Sequence, residues 1–251
     1  MYLIIDVGNT TANISVFSED KIISSLTILT PKNGDFDNEK EEIIKTFSKY
    51  EIDDIYVSSV VPSVNNSLDD LLNKLFNKNI ILLNHQHIKT MKLDVDNPLE
   101  VGSDLIAASL RAKNKYGYPI IVADLGTANK VMAIDKNGNF VGVSIFPGML
   151  ISYFAMTKSA EKLPESILKS TENVIGKNTI DCMNSGTINS ALYSIKGFFL
   201  AFEKELGYKC KKVVTGGYSK FIYNKLDDVI YDPLLTTEGI YDSYKEYKGI
   251  K

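Results

Sequence analysis

Apolar positions in the 251-residue chain fall into short runs separated by glycine-rich or charged breaks. "YLIIDVGNTTANISVF" (2–17) is a hydrophobic run ending in Asp6, a break through Gly8, Asn9 and Thr10, and a second strand-like stretch. The same order recurs in "PIIVADLGTANKVMAID" (119–135). The second copy turns through "DKNGN" (135–139) into "FVGVSI" (140–145), and its Asn-Gly is a strong hairpin signal. The first copy turns through "SEDK" (18–21) into "IISSLTIL" (22–29). The pattern predicts strand, loop, strand, turn, strand, twice over.

Later elements repeat as well. "DNEKEEIIKTFSKY" (37–50) has helical periodicity and leads to "IDDIYVSSVVP" (52–62), a buried strand ending in small residues. "NSGTINSALYSIKGFFLAFEKEL" (184–206) predicts a long helix, followed through Gly207 by the strand and glycine turn of "CKKVVTGGYS" (210–219). Short apolar runs alternating with helices indicate α/β architecture, with mixed, mainly parallel sheets covered on both faces. "NKYGYP" (114–119) holds the best boundary, dividing the chain into domains 1–116 and 117–251.

Composition narrows the function classes. Apolar residues make up 44% and charged residues 24%, an ordinary soluble balance, and the net charge of -3 argues against nucleic-acid or membrane-surface partners. No apolar run approaches the length of a membrane span, and Tyr2–Ile5 is too short for a signal core, so the chain reads as cytoplasmic. Cys182 and Cys210 lack metal-ligand spacing and read as free thiols; His85 and His87 form an isolated pair without further ligands. Arg111 is the only arginine, which matters because two-pronged recognition of a carboxylate favours that side chain.

Each Asp-x-Gly is either a plain turn or a ligand loop, and its repetition at two matching strand ends favours the second. Glycine and hydroxyl residues expose backbone N–H groups that cradle phosphate. Asp6 and Asp124 would repel phosphate unless cations lie between, as Mg²⁺ does when held by one or two carboxylates and water. Gly216 and Gly217 add a third turn where a nucleotide could approach the backbone. This pattern points to ATP held between two related domains. "TENVIGKNT" (171–179) is not a phosphate-binding P-loop, since the upstream glycine is replaced by Thr171 and Asn178 follows the lysine.

With these motifs in place, the chain resembles the acetate and sugar kinase/Hsp70/actin superfamily and, within it, the type III pantothenate kinase (Bvg accessory factor) family. The resemblance runs through "DVGNT" (6–10), "NPLEVGSDL" (97–105), "DLGTA" (124–128), "FPG" (146–148), "LP" (163–164), "VIGKNT" (174–179), "SG" (185–186), "TGG" (215–217) and "DPLLTTEG" (232–239). It implies duplicated ribonuclease H-like (actin-like ATPase) domains and ATP-dependent phosphorylation of pantothenate, the first step of coenzyme A synthesis. It also implies that Asp6, Val7, Gly8, Asn9, Thr10, Thr11, Ala12 and Asn13 bind ATP, with Asp6 holding Mg²⁺ through water. Thr127 would contact ATP, and Asp124 would bind K⁺ or NH₄⁺. Asp104 would be the general base, in a substrate-binding segment of Gly102, Ser103, Asp104 and Leu105. Thr179 would reach substrate across a homodimer interface. Read without the resemblance, Asp104 is a helix N-cap ahead of "LIAASLRAK" before it is a base, and both roles can hold at once.

The sequence departs from the family where the acceptor is recognised. The arginine after the base is Leu105, a tyrosine upstream falls at Val95, Thr-x-Asp becomes Lys130-Val131-Met132, and Gly-Gly becomes Gly142-Val143. Lys130 is either a relocated substrate anchor or a solvent-facing strand residue. Two alternatives to pantothenate phosphorylation follow: a paralogue acting on another small hydroxy acid or alcohol, and a nucleotide-binding regulator without turnover.

Overall fold

The computed structural model describes residues 1–160, 162–164 and 166–250. The chain divides into two compact units, Met1–Arg111 joined by the chain from Leu234 on, and Ala112–Pro233.

The first unit holds β1 (Tyr2–Val7), β2 (Thr11–Ser18), β3 (Lys21–Leu29), α1 (Lys40–Phe47), β4 (Asp54–Ser59), α2 (Asn65–Phe76) and β5 (Ile80–Leu82). The sheet order is β3-β2-β1-β4-β5; β1–β2 and β2–β3 pair antiparallel, β1–β4 and β4–β5 parallel. Helix α3 (Ser103–Tyr116) follows and contains the divide between units.

The second unit repeats the plan with β6 (Ile120–Leu125), β7 (Ala128–Ile134), β8 (Phe140–Pro147), α4 (Met149–Ser159), α5 (Thr179–Leu206), β9 (Lys211–Thr215) and β10 (Ile230–Tyr231). Its order is β10-β9-β6-β7-β8, and the pairing directions match those of the first sheet. The expected duplication is therefore present at the level of strand order, and both sheets are mixed.

Burial follows the hydrophobic runs. All of β6 is buried, as a central strand with helices over its faces requires. Ile5, Val7, Ile14, Ile43, Val57 and Leu68 share one apolar cluster; Ile121, Val131, Met149, Ile188, Ile195 and Val214 belong to the other. Truncating one such isoleucine to alanine would cost about 2–5 kcal/mol.

Two differences from the sequence reading concern helices. The long helix begins at Thr179, because Asn178 accepts the N–H of Asp181 at 3.0 Å and caps it ahead of the small residues. The last helix, α6 (Leu235–Lys248), packs on β1 and β4. The chain from Leu234 on thus groups with the first unit, whereas the sequence boundary had placed it in the second domain. Tyr244 Oη donates to Asp54 Oδ2 at 2.7 Å, and Tyr241 stacks on Phe17. Among the described residues no helix is long and apolar enough to cross a membrane.

Candidate active site

In the first unit, β1 and β2 are paired up to Val7 and Ala12, leaving a tight loop between them. The Gly8 N–H donates to the Thr11 carbonyl at 3.0 Å and closes the turn. Thr30, at the end of β3, holds the loop from the side: its N–H donates to the Thr10 carbonyl at 3.0 Å and its hydroxyl to the Gly8 carbonyl at 2.6 Å. Asn9 and Thr10 are exposed at the tip, while Val7 and Ala12 belong to the core and offer only backbone. Asn13 accepts the Thr27 hydroxyl at 2.7 Å. Asp6 sits at the carboxyl end of β1, in register with Asn13 on one side and Ser58 on the other.

Ser58 connects β4 to α3. Its hydroxyl lies 2.8 Å from that of Ser103, the first residue of the helix and the neighbour of Asp104. The Gly102 carbonyl accepts the Ile106 N–H at 3.1 Å, so Gly102 takes the capping position. Asp104 lies inside the first turn, where its carboxylate accepts the Leu105 N–H at 2.9 Å and sits in the favourable field of the helix N-terminus. It is therefore a first-turn acid and not the N-cap, because the helix starts at Ser103, two residues earlier than a cap at Asp104 ahead of "LIAASLRAK" would place it. Leu105 is only 6% exposed.

In the second unit, Asp124 is the penultimate residue of β6, at 9% exposure. Its partner across the β6–β7 pairing is Lys130, whose Nζ lies 3.1 Å from Asp124 Oδ2. Lys130 thus turns to a carboxylate of the loop and not to solvent. The loop's other flanks are set by two glycines. Gly216, at φ +90°, lies so close that a Cβ would collide with Asp124 Oδ1 and the Leu125 backbone. Gly148 donates its N–H to the Thr127 carbonyl at 3.1 Å, and a Cβ there would run into the Gly126 and Thr127 carbonyls. The Tyr218 N–H donates to the Leu125 carbonyl at 3.0 Å, fastening the Gly216-Gly217 turn to the same loop. Asn129 is buried and donates to the Pro147 carbonyl at 3.3 Å.

Thr179 stands exposed in the first turn of α5. His87 is drawn into packing: Nδ1 lies 2.8 Å from the Tyr56 hydroxyl, Nε2 lies 3.1 Å from Asn84, and the ring lies against Tyr247. Burial lowers its pKa, assisted by the nearby charges of His85 and Lys89. Among the described residues no cluster of three or more His, Cys, Asp or Glu is arranged to hold a metal. Sequence reasoning did not single out Thr30 or Ser58, and it met Gly148 only as the end of the "FPG" motif. Their only signal was position: each lies at the end of a strand or turn beside a glycine loop.

Comparison with known proteins bears on this arrangement. The sequence profile of the type III pantothenate kinase family matches residues 2–201. The chain belongs to that family. It is 36% identical over 261 residues to a type III pantothenate kinase of Agathobacter rectalis, with both chains fully covered. A solved Baf family transcriptional activator, described as putative, from Campylobacter jejuni superposes with a TM-score of 0.62 at 22% identity, covering 99% of this chain and 100% of that one. The activator of 2-hydroxyisocaproyl-CoA dehydratase from Clostridium difficile, solved with ADPNP, gives 0.53 at 13% identity, covering 100% and 98%. These two likenesses speak for the fold alone: two duplicated α/β units with an actin-like plan. The protein is a kinase with an ATP-binding fold.

Proposed function

We propose that this kinase phosphorylates pantothenate with ATP, giving 4'-phosphopantothenate for coenzyme A synthesis in the cytoplasm. Beyond family membership, the supporting observation is the Ser58–Ser103 hydrogen bond, which ties β4, in register with Asp6, to the helix turn carrying Asp104. The Gly8–Thr11 loop supplies backbone donors for phosphate oxygens, and the Gly216-Gly217 turn and Thr127 supply a second set. Asp104 accepts the proton of the primary alcohol as its oxygen bonds to the γ-phosphorus. The bond from that phosphorus to the β-phosphate oxygen breaks, and ADP leaves. Phosphoryl transfer depends mainly on positioning and charge neutralisation, so an ordinary carboxylate suffices as base.

Mg²⁺ fits the first unit. Asp6 supplies one hard carboxylate near the end of β1, in register with the neutral polar residues Asn13 and Ser58, and a single carboxylate suits an ion that keeps most of its waters. When bound, Mg²⁺ neutralises phosphate charge. The K⁺ or NH₄⁺ implied at Asp124 fits less well, since Lys130 already stands against that carboxylate.

The test is ADP release from Mg-ATP with pantothenate, with the phosphorylated product identified by its mass. Absence of that product with ATP still bound would reject the proposal. A second reading, another small hydroxy acid or alcohol as acceptor, is favoured by one observation: the only arginine is bound to Glu238 and Asp242, and Leu105 stands where the family has its arginine. A panel of such acceptors, ranked by kcat/KM against pantothenate, decides between the two.

A further inference from the structure

We propose that the ammonium group of Lys130 is a built-in monovalent cation for Asp124, so that the kinase works without K⁺ or NH₄⁺. The inference rests on the kinase reading given above.

A carboxylate as buried as Asp124, placed in a phosphate-binding loop, is costly on its own and repels the ligand the loop is shaped to hold. It needs a positive charge. The sheet supplies one: the β6–β7 register puts Lys130 directly opposite Asp124, and its Nζ lies 3.1 Å from Oδ2. Only 18% of the lysine side chain is exposed, so the pair is shielded from the screening that weakens surface ion pairs. On the other oxygen the backbone closes in, because Gly216 packs against Oδ1 with no room for a Cβ. The carboxylate is thus enclosed between a glycine turn and a tethered cation.

A free monovalent ion binding here would have to displace an ammonium held at high effective concentration by its own strand, or sit beside it against like charge. An ammonium head has the charge of K⁺ and NH₄⁺, and its three N–H donors can serve a carboxylate and a phosphate oxygen together. Lysine also keeps the loop electrically prepared before the nucleotide arrives, a form of preorganisation.

Two readouts test this at constant ionic strength, with Tris, Na⁺, K⁺ or NH₄⁺ as the cation: Mg-ATP affinity by calorimetry, and ADP release. Native protein is expected to change less than about twofold between salts in both. Lys130→Ala, which removes the charge and opens space, is expected to lose at least about tenfold in ATP affinity in Tris or Na⁺, and to regain most of it in K⁺ or NH₄⁺. Lys130→Arg, which keeps the charge, is expected to stay insensitive to the choice of salt. Native protein stimulated tenfold by K⁺ or NH₄⁺ would overturn the proposal without any variant, as would Lys130→Ala binding ATP like the native protein in every salt. Failure of the kinase reading looks different: no ADP release in any salt, while the salt pattern of ATP binding still reports on Lys130.

Discussion

Arg111 Nη2 lies 2.6 Å from Glu238 Oε2, and its Nη1 lies 3.2 Å from Asp242 Oδ2, so one guanidinium holds two carboxylates of α6 against α3. Burial works against the charged form of Arg111, but Asp242 and Glu238 outweigh it and raise its pKa. The only planar fork in the chain therefore fastens the C-terminal helix and is not free for a substrate carboxylate.

Arg111→Met should consequently be a stability variant and not a binding variant. It leaves the buried Asp242 without its guanidinium, at a cost of about 1–3 kcal/mol. Urea unfolding should show that loss, while the KM values for ATP and acceptor stay near native. A large rise in acceptor KM with unchanged stability would mean that the arginine meets the substrate after all.

Glu203 should set an acid limb of stability. Burial disfavours its charge, yet Lys209, the Cys210 N–H and Lys212 together bring its pKa down to about 2. A carboxylate lowered on folding contributes stability that is full above its unfolded value, near 4.5, and lost as pH falls towards 2. Thermal unfolding of native protein should therefore weaken across that interval. Glu203→Gln should flatten the interval and lower stability at neutral pH by about 1–3 kcal/mol. An unchanged pH profile in the variant would show that other carboxylates govern the limb.

The strand plan was legible because each central strand is a continuous apolar run closed by Asp-x-Gly or by small residues, and a buried strand has few other ways to read. Helix α4 was not, since "MLISYFAMTKS" is apolar almost all round and has no 3.6-residue stripe. The attachment of α6 was hidden for another reason: it depends on Arg111, Tyr241 and Tyr244 meeting partners far away in sequence. Within the site, the loops could be found from glycine spacing, but what grips them could not. Thr30 and Ser58 are ordinary hydroxyl residues until β3 and β4 lie beside β1. Lys130 likewise becomes a partner of Asp124 only once the loop between them fixes the register.

A homodimer is expected through the segment around Thr179. Ile175 is 82% exposed, and Ile167, Val174 and Ile180 in the same stretch are also uncovered. Such apolar exposure near one helix start is typical of an interaction surface. Light scattering should give twice the monomer mass at micromolar concentration, and Ile175→Asp should shift the population to monomer. A native monomer would reject the interface and with it the role of Thr179.

Asp104 and Asp6 should separate transfer from binding. Asp104 lies in the first turn of α3, beside Ser103, whose hydroxyl meets that of Ser58 on β4, and its proposed partner is the acceptor hydroxyl. Asp104→Asn keeps the shape of the side chain but cannot take a proton. It should reduce kcat by about 10²–10⁴-fold, the usual contribution of a positioned base, with Mg-ATP affinity nearly native. Asp6→Asn should do the reverse, weakening Mg-ATP binding in calorimetry because the hydrated ion loses its carboxylate. If Asp104→Asn instead weakened ATP binding and left kcat untouched, the carboxylate would be supporting the nucleotide loop through the helix start. The base would then have to be sought elsewhere in the chain.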